Sequence, residues 1–280
     1  MQEFDLLRNI TIGQYLPTGS VIHRLDPRAK LLAAAVLITA IAVTTSYLAQ
    51  GLLLLAVVGI LLLARIPLGY ALRGVRPALP FLLVLALVQL LFFGRSLDPS
   101  SPVLWEYGFV VITQATVKAI VISFLRLVAL ILLASAVTFS TAVTELSHGI
   151  EGLLRPFRRL RVPAHELALI VTIALRFVPT FAQELERIMK AQVSRGADFG
   201  GGGRFNFVRR TVSLLPLLVP LFTIALERAE ELVLAMEARG YVGGQDRSSL
   251  VELRAGWRDV LAVAATLALA VLVVAVRWPF

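Results

Sequence analysis

The sequence contains no cysteine, which excludes disulfide bonds and metal sites with thiolate ligands. Charged residues are also scarce: Asp, Glu, Lys and Arg make up 16% of the 280 residues, whereas a soluble domain usually carries about 25%. Apolar residues make up 58% of the chain, and the mean hydropathy is +0.83. A chain so poor in charge and so rich in apolar side chains is predicted to be an integral membrane protein.

The motifs of several enzyme classes are missing as well. No Gly-x-x-x-x-Gly-Lys-Ser/Thr sequence is present, so the glycine run at 200–203 is not a phosphate-binding loop. The three histidines have no metal-ligand spacing among themselves or with carboxylates. No aspartate cluster is present that could hold a diphosphate through magnesium. We therefore expect no catalytic residue, metal or cofactor in this chain, and no ATP hydrolysis by the chain itself.

Long uncharged stretches predict the membrane spans. Residues 31–64 contain no charged side chain over 34 residues. As one helix they would be about 50 Å long, whereas the hydrocarbon core is about 30 Å thick. We therefore predict two spans here, connected by a turn at Ser46–Gly51. Three more blocks of low charge follow at 77–93, 112–137 and 260–276. The predicted fold class is an all-α integral membrane protein with about five transmembrane helices.

The basic residues are distributed unevenly with respect to these predicted spans. With five spans, the N-terminal segment, residues 65–76 and residues 140–258 lie on one side of the membrane. Together they hold 23 of the 27 Lys and Arg residues. Cytoplasmic loops carry such an excess of positive charge, so we predict a cytoplasmic N-terminus. The net charge of +9 is then a topology signal, and we expect no nucleic-acid partner.

Between the fourth and fifth predicted spans lies a long region, residues 140–258, which we predict to form cytoplasmic helices. It separates residues 1–139, which hold spans one to four, from residues 259–280, which hold span five. Helical patterns are predicted at 144–154, 164–195 and 207–239. The two long patterns are apolar in their first half and charged in their second, which suits helices that leave the membrane interface for a soluble partner. Two further spans interrupted by charges are the alternative.

Three prolines and one arginine refine the prediction for the two long helices. Pro179 lies in the first, and Pro216 and Pro220 lie in the second. Each proline removes a backbone hydrogen bond, so a kink is expected at each. Arg176 directly follows the nine apolar-rich residues 167–175, a stretch much shorter than the roughly 20 residues of a membrane span. We therefore predict that these helices lie at the interface.

Each of the two long helical patterns ends in nearly the same six residues. The first reads Ala-Gln-Val-Ser-Arg-Gly at 191–196, and the second reads Ala-Met-Glu-Ala-Arg-Gly at 235–240. Glycine closes helices in the left-handed conformation, and arginine in the last turn complements the helix dipole. That explains one copy, but two copies in register also predict two equivalent docking points, where a planar guanidinium binds carboxylates or carbonyls of a partner. The predicted docking residues are Ser194, Arg195, Gly196, Ala238, Arg239 and Gly240.

Charges near or inside the predicted spans are expected to have structural roles. Asp26 is predicted to cap the first span, with Pro27 at its first helical position. Arg28 and Lys30 then anchor that span on the cytoplasmic side. Arg126 lies inside the fourth predicted span, where a charge is costly. We expect Arg126 to bind an acidic side chain or a backbone carbonyl rather than a substrate.

Several segments together resemble one known family. The pattern Tyr-x-Pro-x-x-Ser-x-x-His-x-Leu-Asp-Pro-Arg-x-Lys at 15–30, the segment Ala-Leu-Arg-Phe-Val-Pro-Thr at 174–180 and the two arginine motifs are similar to those of the transmembrane T component of energy-coupling factor (ECF) transporters. Residues 138–146 and 154–156 fit the same family, so the resemblance covers nearly the whole chain. The second motif matches the Ala-Arg-Gly of the family, whereas the first has Ser194, another small residue, in place of alanine.

The resemblance implies a subunit of an importer in the cell membrane of a prokaryote. In such importers the T component joins two ABC-type ATPases, which bind ATP and magnesium, to a membrane-embedded S component that binds a vitamin or another micronutrient. The arginine motifs would dock the two ATPases, and the apolar surfaces of the two long helices would contact the S component. A self-contained secondary transporter or channel is the alternative; it requires a transmembrane repeat and discontinuous spans with polar groups at the midplane.

Overall fold

The computed structural model describes residues 15–92, 101–107, 110–154, 164–197, 214–241 and 255–276. Within them, the chain divides into two compact units. The first unit holds the described residues up to Gly152 together with those from 255 onward, and the second holds the described residues of 153–252.

Helices make up most of the described chain. The first unit contains α1 (Pro27–Val43), α2 (Tyr47–Leu63), α3 (Leu68–Arg73), a 3₁₀ turn (Arg76–Ala78), α4 (Leu79–Phe92), β1 (Val103–Tyr107), β2 (Val110–Thr113), α5 (Gln114–Ser140), most of α6 (Val143–Leu154) and, later in the chain, α9 (Trp257–Ala275). The second unit contains α7 (Ala164–Ser194) and α8 (Leu215–Ala238). Each predicted span therefore corresponds to one helix: α1, α2, α4, α5 and α9.

A short extended break separates α1 from α2. Thr44 ends α1, and its hydroxyl and backbone N–H both donate to the carbonyl four residues earlier, at 2.6 and 3.1 Å. Ser46 is extended (φ −97°, ψ 142°), and α2 begins at Tyr47. The two predicted helices within 31–64 are confirmed. The predicted turn at Ser46–Gly51 is wrong beyond its first residue, because the five residues that follow Ser46 already belong to α2.

A β-hairpin connects α4 to α5. Strands β1 and β2 pair antiparallel, with Tyr107 opposite Val110. α5 starts directly after β2, where the Thr113 side chain accepts from the N–H of Thr116 at 3.2 Å and so caps the helix. The predicted fourth span, 112–137, therefore begins two residues too early. Its first residues continue a Val-Val-Ile-Thr run, whose β-branched side chains favour a strand.

Two helix pairs form the core of the first unit. α1 packs mainly against α9, and α2 packs mainly against α5, which also contacts α1 and so joins the pairs. Small side chains lie at these contacts: Ala40, Ala129 and Ala136 are all buried, which lets helix backbones approach closely, as in membrane bundles. The larger side chains that are almost fully buried include Leu37, Ile41, Leu53, Val57 and Leu61.

Helix length and composition place the chain in a membrane. Within the described residues, three helical segments are long and apolar enough to cross a bilayer, namely 68–92, α5 and α9. α2 is apolar but has only 17 residues, and neither α7 nor α8 is among the three. Large apolar side chains point outward, such as Leu55 and Phe92 with 73% and 74% of their surface exposed. The predicted class, an all-α integral membrane protein, is confirmed.

In the second unit, α7 and α8 pack against each other. The first long helix, predicted at 164–195, is observed at Ala164–Ser194. Of the second, predicted at 207–239, residues 207–213 lie outside the described residues, and α8 is observed from Leu215 to Ala238. The glycine run 200–203 also lies outside the described residues.

The prolines of the long helices occupy two kinds of position. Pro179 and Pro220 lie inside α7 and α8, as predicted. Pro216 lies in the first turn of α8. In the first turn an N–H has no partner inside the helix, so proline removes no helical hydrogen bond there. The kink predicted at Pro216 is therefore wrong.

Candidate docking site

α7 ends in a closed C-terminal turn. Gly196 has φ +86°, in the left-handed region. The N–H of Gly196 donates to the carbonyl of Val193 at 2.9 Å, and the N–H of Ala197 donates to the carbonyl of Gln192 at 2.9 Å. These two bonds around a left-handed glycine form a Schellman motif, which satisfies the last carbonyls of the helix. Arg195 is therefore the final residue before the glycine that closes α7.

α8 ends in the same way. Gly240 has φ +72°, the N–H of Gly240 donates to the carbonyl of Glu237 at 2.9 Å, and the N–H of Tyr241 donates to that of Met236 at 3.0 Å. Arg239 occupies the position that Arg195 has in α7. The helix-closing role predicted for both glycines is confirmed, and the two helix ends have the same backbone design residue by residue.

We call residues 194–196 the first tip and residues 238–240 the second tip. All six residues are exposed. In the described part of the chain, neither Arg195 nor Arg239 forms a side-chain hydrogen bond or ion pair, whereas the Ser194 hydroxyl donates to the Lys190 carbonyl at 3.0 Å. Each tip thus presents an exposed guanidinium beside a small residue, an arrangement that can bind a carboxylate or carbonyl group of a partner. The docking role itself stays a prediction.

An ion pair joins α7 to α8 at equivalent positions of the repeat. Arg228 Nη2 lies 3.3 Å from Glu184 Oε1, and the two residues are 44 positions apart. The two tip arginines, Arg195 and Arg239, are separated by the same 44 positions. Each partner of the ion pair therefore lies 11 residues before its own tip, or about 16 Å along an α-helix. Glu184 also accepts from Arg187 at 3.3 Å on its own helix.

The apolar halves of α7 and α8 form a groove. The rings of Phe177 and Phe181 stack with centroids 5.5 Å apart. A groove of ≈ 500 Å³ is lined by Phe181 and by residues of the first half of α8. Three of these, Leu218, Val219 and Phe222, have 55%, 64% and 66% of their surface exposed. The second unit thus has a charged end that carries the tips and an apolar end with exposed large side chains.

The start of α1 follows the prediction in part. Asp26 Oδ1 accepts from the N–H of Arg28 at 2.8 Å, and Pro27 is the first helical residue, so the predicted cap is confirmed. Lys30, which was predicted to anchor the span on the cytoplasmic side, binds backbone carbonyls. Its side chain is buried, and Nζ donates to the carbonyls of His23 and Ser140 at 3.1 and 3.0 Å. These carbonyls replace the water that a surface lysine would bind.

The other predicted structural residues occupy different environments. Arg126 Nη2 donates to the carbonyl of Thr44 at 2.7 Å, so of the two predicted contacts the backbone carbonyl is the one found. The bond satisfies an end carbonyl of α1 and places a positive charge at the negative end of that helix. Arg176 is exposed on α7, and Pro179 follows it by three residues.

Two contacts were missed by the sequence analysis. The pair Glu184–Arg228 could have been found, because the 44-residue offset that aligns the two arginine motifs also aligns these opposite charges. The second contact joins Asp259, in the first turn of α9, to Asp26, 233 residues earlier. No local pattern connects residues so far apart in the chain.

The chain is similar to known proteins over nearly its whole length. A family model described as "Cobalt transport protein" (CbiQ) matches residues 18–250. The chain is 44% identical over 273 residues to a protein of Acidaminococcus fermentans, covering 98% of both chains. It is 45% identical over 267 residues to one of Thermosediminibacter oceani, covering 95% of this chain and 97% of the relative. It is 37% identical over 273 residues to one of Bacillus subtilis, covering 97% and 100%. All three relatives bear the name "Energy-coupling factor transporter transmembrane protein EcfT".

Proposed function

This chain belongs to the CbiQ/EcfT family of transmembrane transport components, and we propose that it is the T component of an ECF-type importer for a vitamin or another micronutrient. In this role it is a non-catalytic subunit. It holds two ABC-type ATPases, which supply ATP and magnesium chemistry, and it holds a substrate-binding S component in the membrane of a prokaryotic cell.

The equivalence of the two tips is the observation that carries the proposal. A subunit that grips two like ATPases needs two like docking points, and the tips have the same closing hydrogen bonds, the same arginine position and the same 11-residue distance to the Glu184–Arg228 pair. Arg195 and Arg239 each enter a groove of one ATPase, where the planar guanidinium binds acidic or carbonyl groups.

The apolar end of the second unit is the surface that we assign to the S component. Leu218, Val219 and Phe222 are large, largely exposed and next to a groove. Exposed apolar patches of this kind mark interaction surfaces with proteins or membranes. An S component embedded in the bilayer offers apolar helix surfaces to match, whereas the ATPases meet the opposite, charged end of α7 and α8.

The charge distribution orients the subunit. The segments that would share a side with the N-terminus hold 23 of the 27 Lys and Arg residues, so that side is the cytoplasm. The second unit and its tips then lie on the side where ATP is available. This orientation is what a subunit that transmits ATP-driven movement requires.

Substitution of the tip arginines tests the proposal. Arg195→Ala and Arg239→Ala should each weaken ATPase attachment, since truncation of a central interface arginine typically costs about 2 kcal/mol or more. Each single variant keeps one docking point. The double variant should lose far more than either single, because attachment at two points raises the effective concentration of each. Attachment is measured by pull-down of the ATPases with the tagged chain from detergent-solubilised membranes.

Arg24→Ala provides the matched control, since it removes one exposed arginine from the first unit and should leave ATPase attachment unchanged. Thermal unfolding of all variants in detergent shows that they are folded. If a double tip variant still retains both ATPases at the wild-type level, the arginines do not dock the ATPases and only complement the helix dipoles. A wild-type chain that retains no ATPase would refute the proposed function itself.

A further inference from the structure

The first turn of α1 contacts three other segments of the first unit. Residues 26–30 include the Asp-Pro-Arg sequence that caps the helix, and a cap needs only the bond from the Arg28 N–H to Asp26. The additional contacts come from α6, from the end of α5 and from the start of α9. Their positions in the chain give this turn a role beyond capping.

The contact with α6 is a close approach between the helices at Gly149. A Cβ placed on Gly149 would lie 2.9 Å from Cβ of Pro27, 3.3 Å from the Pro27 carbonyl carbon and 3.3 Å from Cδ1 of Leu31. The two Pro27 atoms do not belong to a flexible side chain, so a larger residue at 149 has to push α6 away from α1. Glycine is therefore required here by close approach.

The end of α5 is bound through Lys30. Its Nζ donates to the carbonyl of Ser140, the last residue of α5, and to the carbonyl of His23, with both bonds between 3.0 and 3.1 Å. α6 begins three residues after Ser140. The lysine therefore fixes the point from which α6 departs, and its positive charge lies at the negative end of α5.

The start of α9 is bound through Asp259. Oδ1 accepts from the backbone N–H of Asp26 at 2.8 Å, and Oδ2 accepts from the N–H of Gly256 at 2.6 Å. One carboxylate thus caps its own helix and binds the residue that caps α1. Both aspartates are buried, and a buried hydrogen bond to a charged group is worth more than an exposed one.

These contacts lie next to the two places where the chain passes between the units. The chain leaves the first unit along α6, whose boundary with the second unit falls after Gly152, and it returns just before α9. Both covalent connections to the second unit are therefore fastened to the same turn of α1. We propose that residues 26–30 are the joint through which movement of the second unit reaches the membrane helices.

This inference rests on the proposed function, in which ATP binding by the docked ATPases moves the second unit. Movement arriving through α6 and α9 is delivered to α1. α1 packs most closely on α9, less closely on α5 and least on α2, so we expect α1 and α9 to shift together relative to α2, with the contact between α1 and α5 adjusting. Gly149 and Asp259 are positioning residues in this mechanism: they touch neither nucleotide nor substrate.

A distance measurement across the membrane helices tests the joint. The chain has no cysteine, so single nitroxide labels can be introduced at Val43→Cys and Leu63→Cys, whose side chains are 59% and 68% exposed. These positions end α1 and α2 at opposite membrane faces, roughly 25 Å apart by helix length, a distance suited to pulsed EPR. The complex with its two ATPases and S component is measured without nucleotide and after trapping with ATP and vanadate.

In the wild-type complex we expect the distance peak to shift on trapping. Gly149→Ala should abolish that shift while the ATPases stay attached and hydrolyse ATP. Gly59→Ala is the control: it is the same substitution inside a helix, and a Cβ at 59 meets no atom within 4 Å, so the shift should persist. Asp259→Ala removes the α9 contact without inserting any atom and should also reduce the shift, which keeps the test decisive if Gly149→Ala fails to fold.

Two results would overturn the proposed joint, and a third would refute the proposed function. A Gly149→Ala or Asp259→Ala complex that shows the full wild-type shift overturns the joint, and so does a wild-type complex with active, attached ATPases and no shift. Failure of the wild-type chain to assemble with the ATPases instead refutes the proposed function, and that failure is seen in the pull-down before any distance is measured.

Discussion

The ion pair between Glu184 and Arg228 should set the spacing of the two tips. It is the contact that joins the charged ends of α7 and α8 at equivalent positions, 11 residues before each tip. The perturbation that tests it is charge reversal. Arg228→Glu places two carboxylates at the contact, and the double variant Glu184→Arg/Arg228→Glu restores an attractive pair with its direction reversed. Arg187, which donates to Glu184 in the wild type, is 79% exposed and can turn away into water when position 184 is basic.

The free energy that this ion pair contributes can be estimated from its N–O distance and the exposure of its side chains. The closest N–O distance is 3.3 Å, and the side chains are 15% exposed for Glu184 and 37% for Arg228. A pair with one partner this exposed is worth about 1 kcal/mol at most. Reversal of one charge replaces this attraction by a repulsion of similar size, so the contact loses about 2 kcal/mol. That corresponds to roughly a 30-fold change in the population of the paired arrangement.

The assay is ATP hydrolysis by the ATPases bound to the chain, together with their retention in a pull-down. Arg228→Glu should lower both, because two docked ATPases need a fixed spacing between the tips, and the charge-swapped double variant should recover most of the loss. Arg24→Glu is the control. It reverses one exposed charge of the first unit. Failure of the swap to restore what Arg228→Glu loses would refute the assigned role of the pair.

Two further predictions concern the first unit. A cysteine introduced at Val103 in the hairpin should react with a membrane-impermeant thiol reagent from outside intact cells, and one at Val21 only after permeabilisation; the reverse pattern would contradict the proposed orientation. Arg126→Leu should lower the free energy of unfolding by about 1.5 kcal/mol, because it leaves the buried carbonyl of Thr44 without its charged donor. Thermal unfolding in detergent measures this, and loss of transport at unchanged stability would instead indicate a substrate role for Arg126.

Features that depend on a few neighbouring residues could be predicted from the sequence. Asp26 and Pro27 start α1, and Gly196 and Gly240 end α7 and α8, because capping and left-handed closure are decided within one turn. The helices that correspond to predicted spans were found for a related reason. A long uncharged run has few alternatives to a membrane helix.

The errors arose where a local pattern has two readings. Val110–Thr113 is apolar and could extend a span, but its β-branched residues pair with β1 instead. Pro216 is close enough to the start of α8 to be harmless. In each case the deciding partner or boundary is absent from the local sequence.

The contacts of the joint could not be predicted for a stronger reason. Asp26 and Asp259 carry the same charge and are 233 residues apart, so a search for opposite charges would pass over them. The bond between them uses the backbone N–H of Asp26 as donor. Every residue except proline has such an N–H, so the sequence does not indicate which of them binds a distant side chain. The role of Gly149 could not be predicted either, because the sequence does not distinguish a glycine that close approach requires from one that is merely tolerated.

The symmetry of the second unit is limited to one end, and this matches the proposed task. At the charged end, Glu184 and Arg228 align in the repeat and so do the tips. The two helix segments between the ion pair and the tips therefore have equal length. At the apolar end the same offset places Phe177, Pro179 and Phe181 opposite leucine, threonine and alanine, so the two helices offer different surfaces there. In the proposed assembly two similar ATPases require equivalent docking points, whereas a single S component requires one surface without a repeat. A pair of helices that is alike at one end and different at the other can join both, and the tip substitutions separate these ends because they should release the ATPases without disturbing the apolar surface.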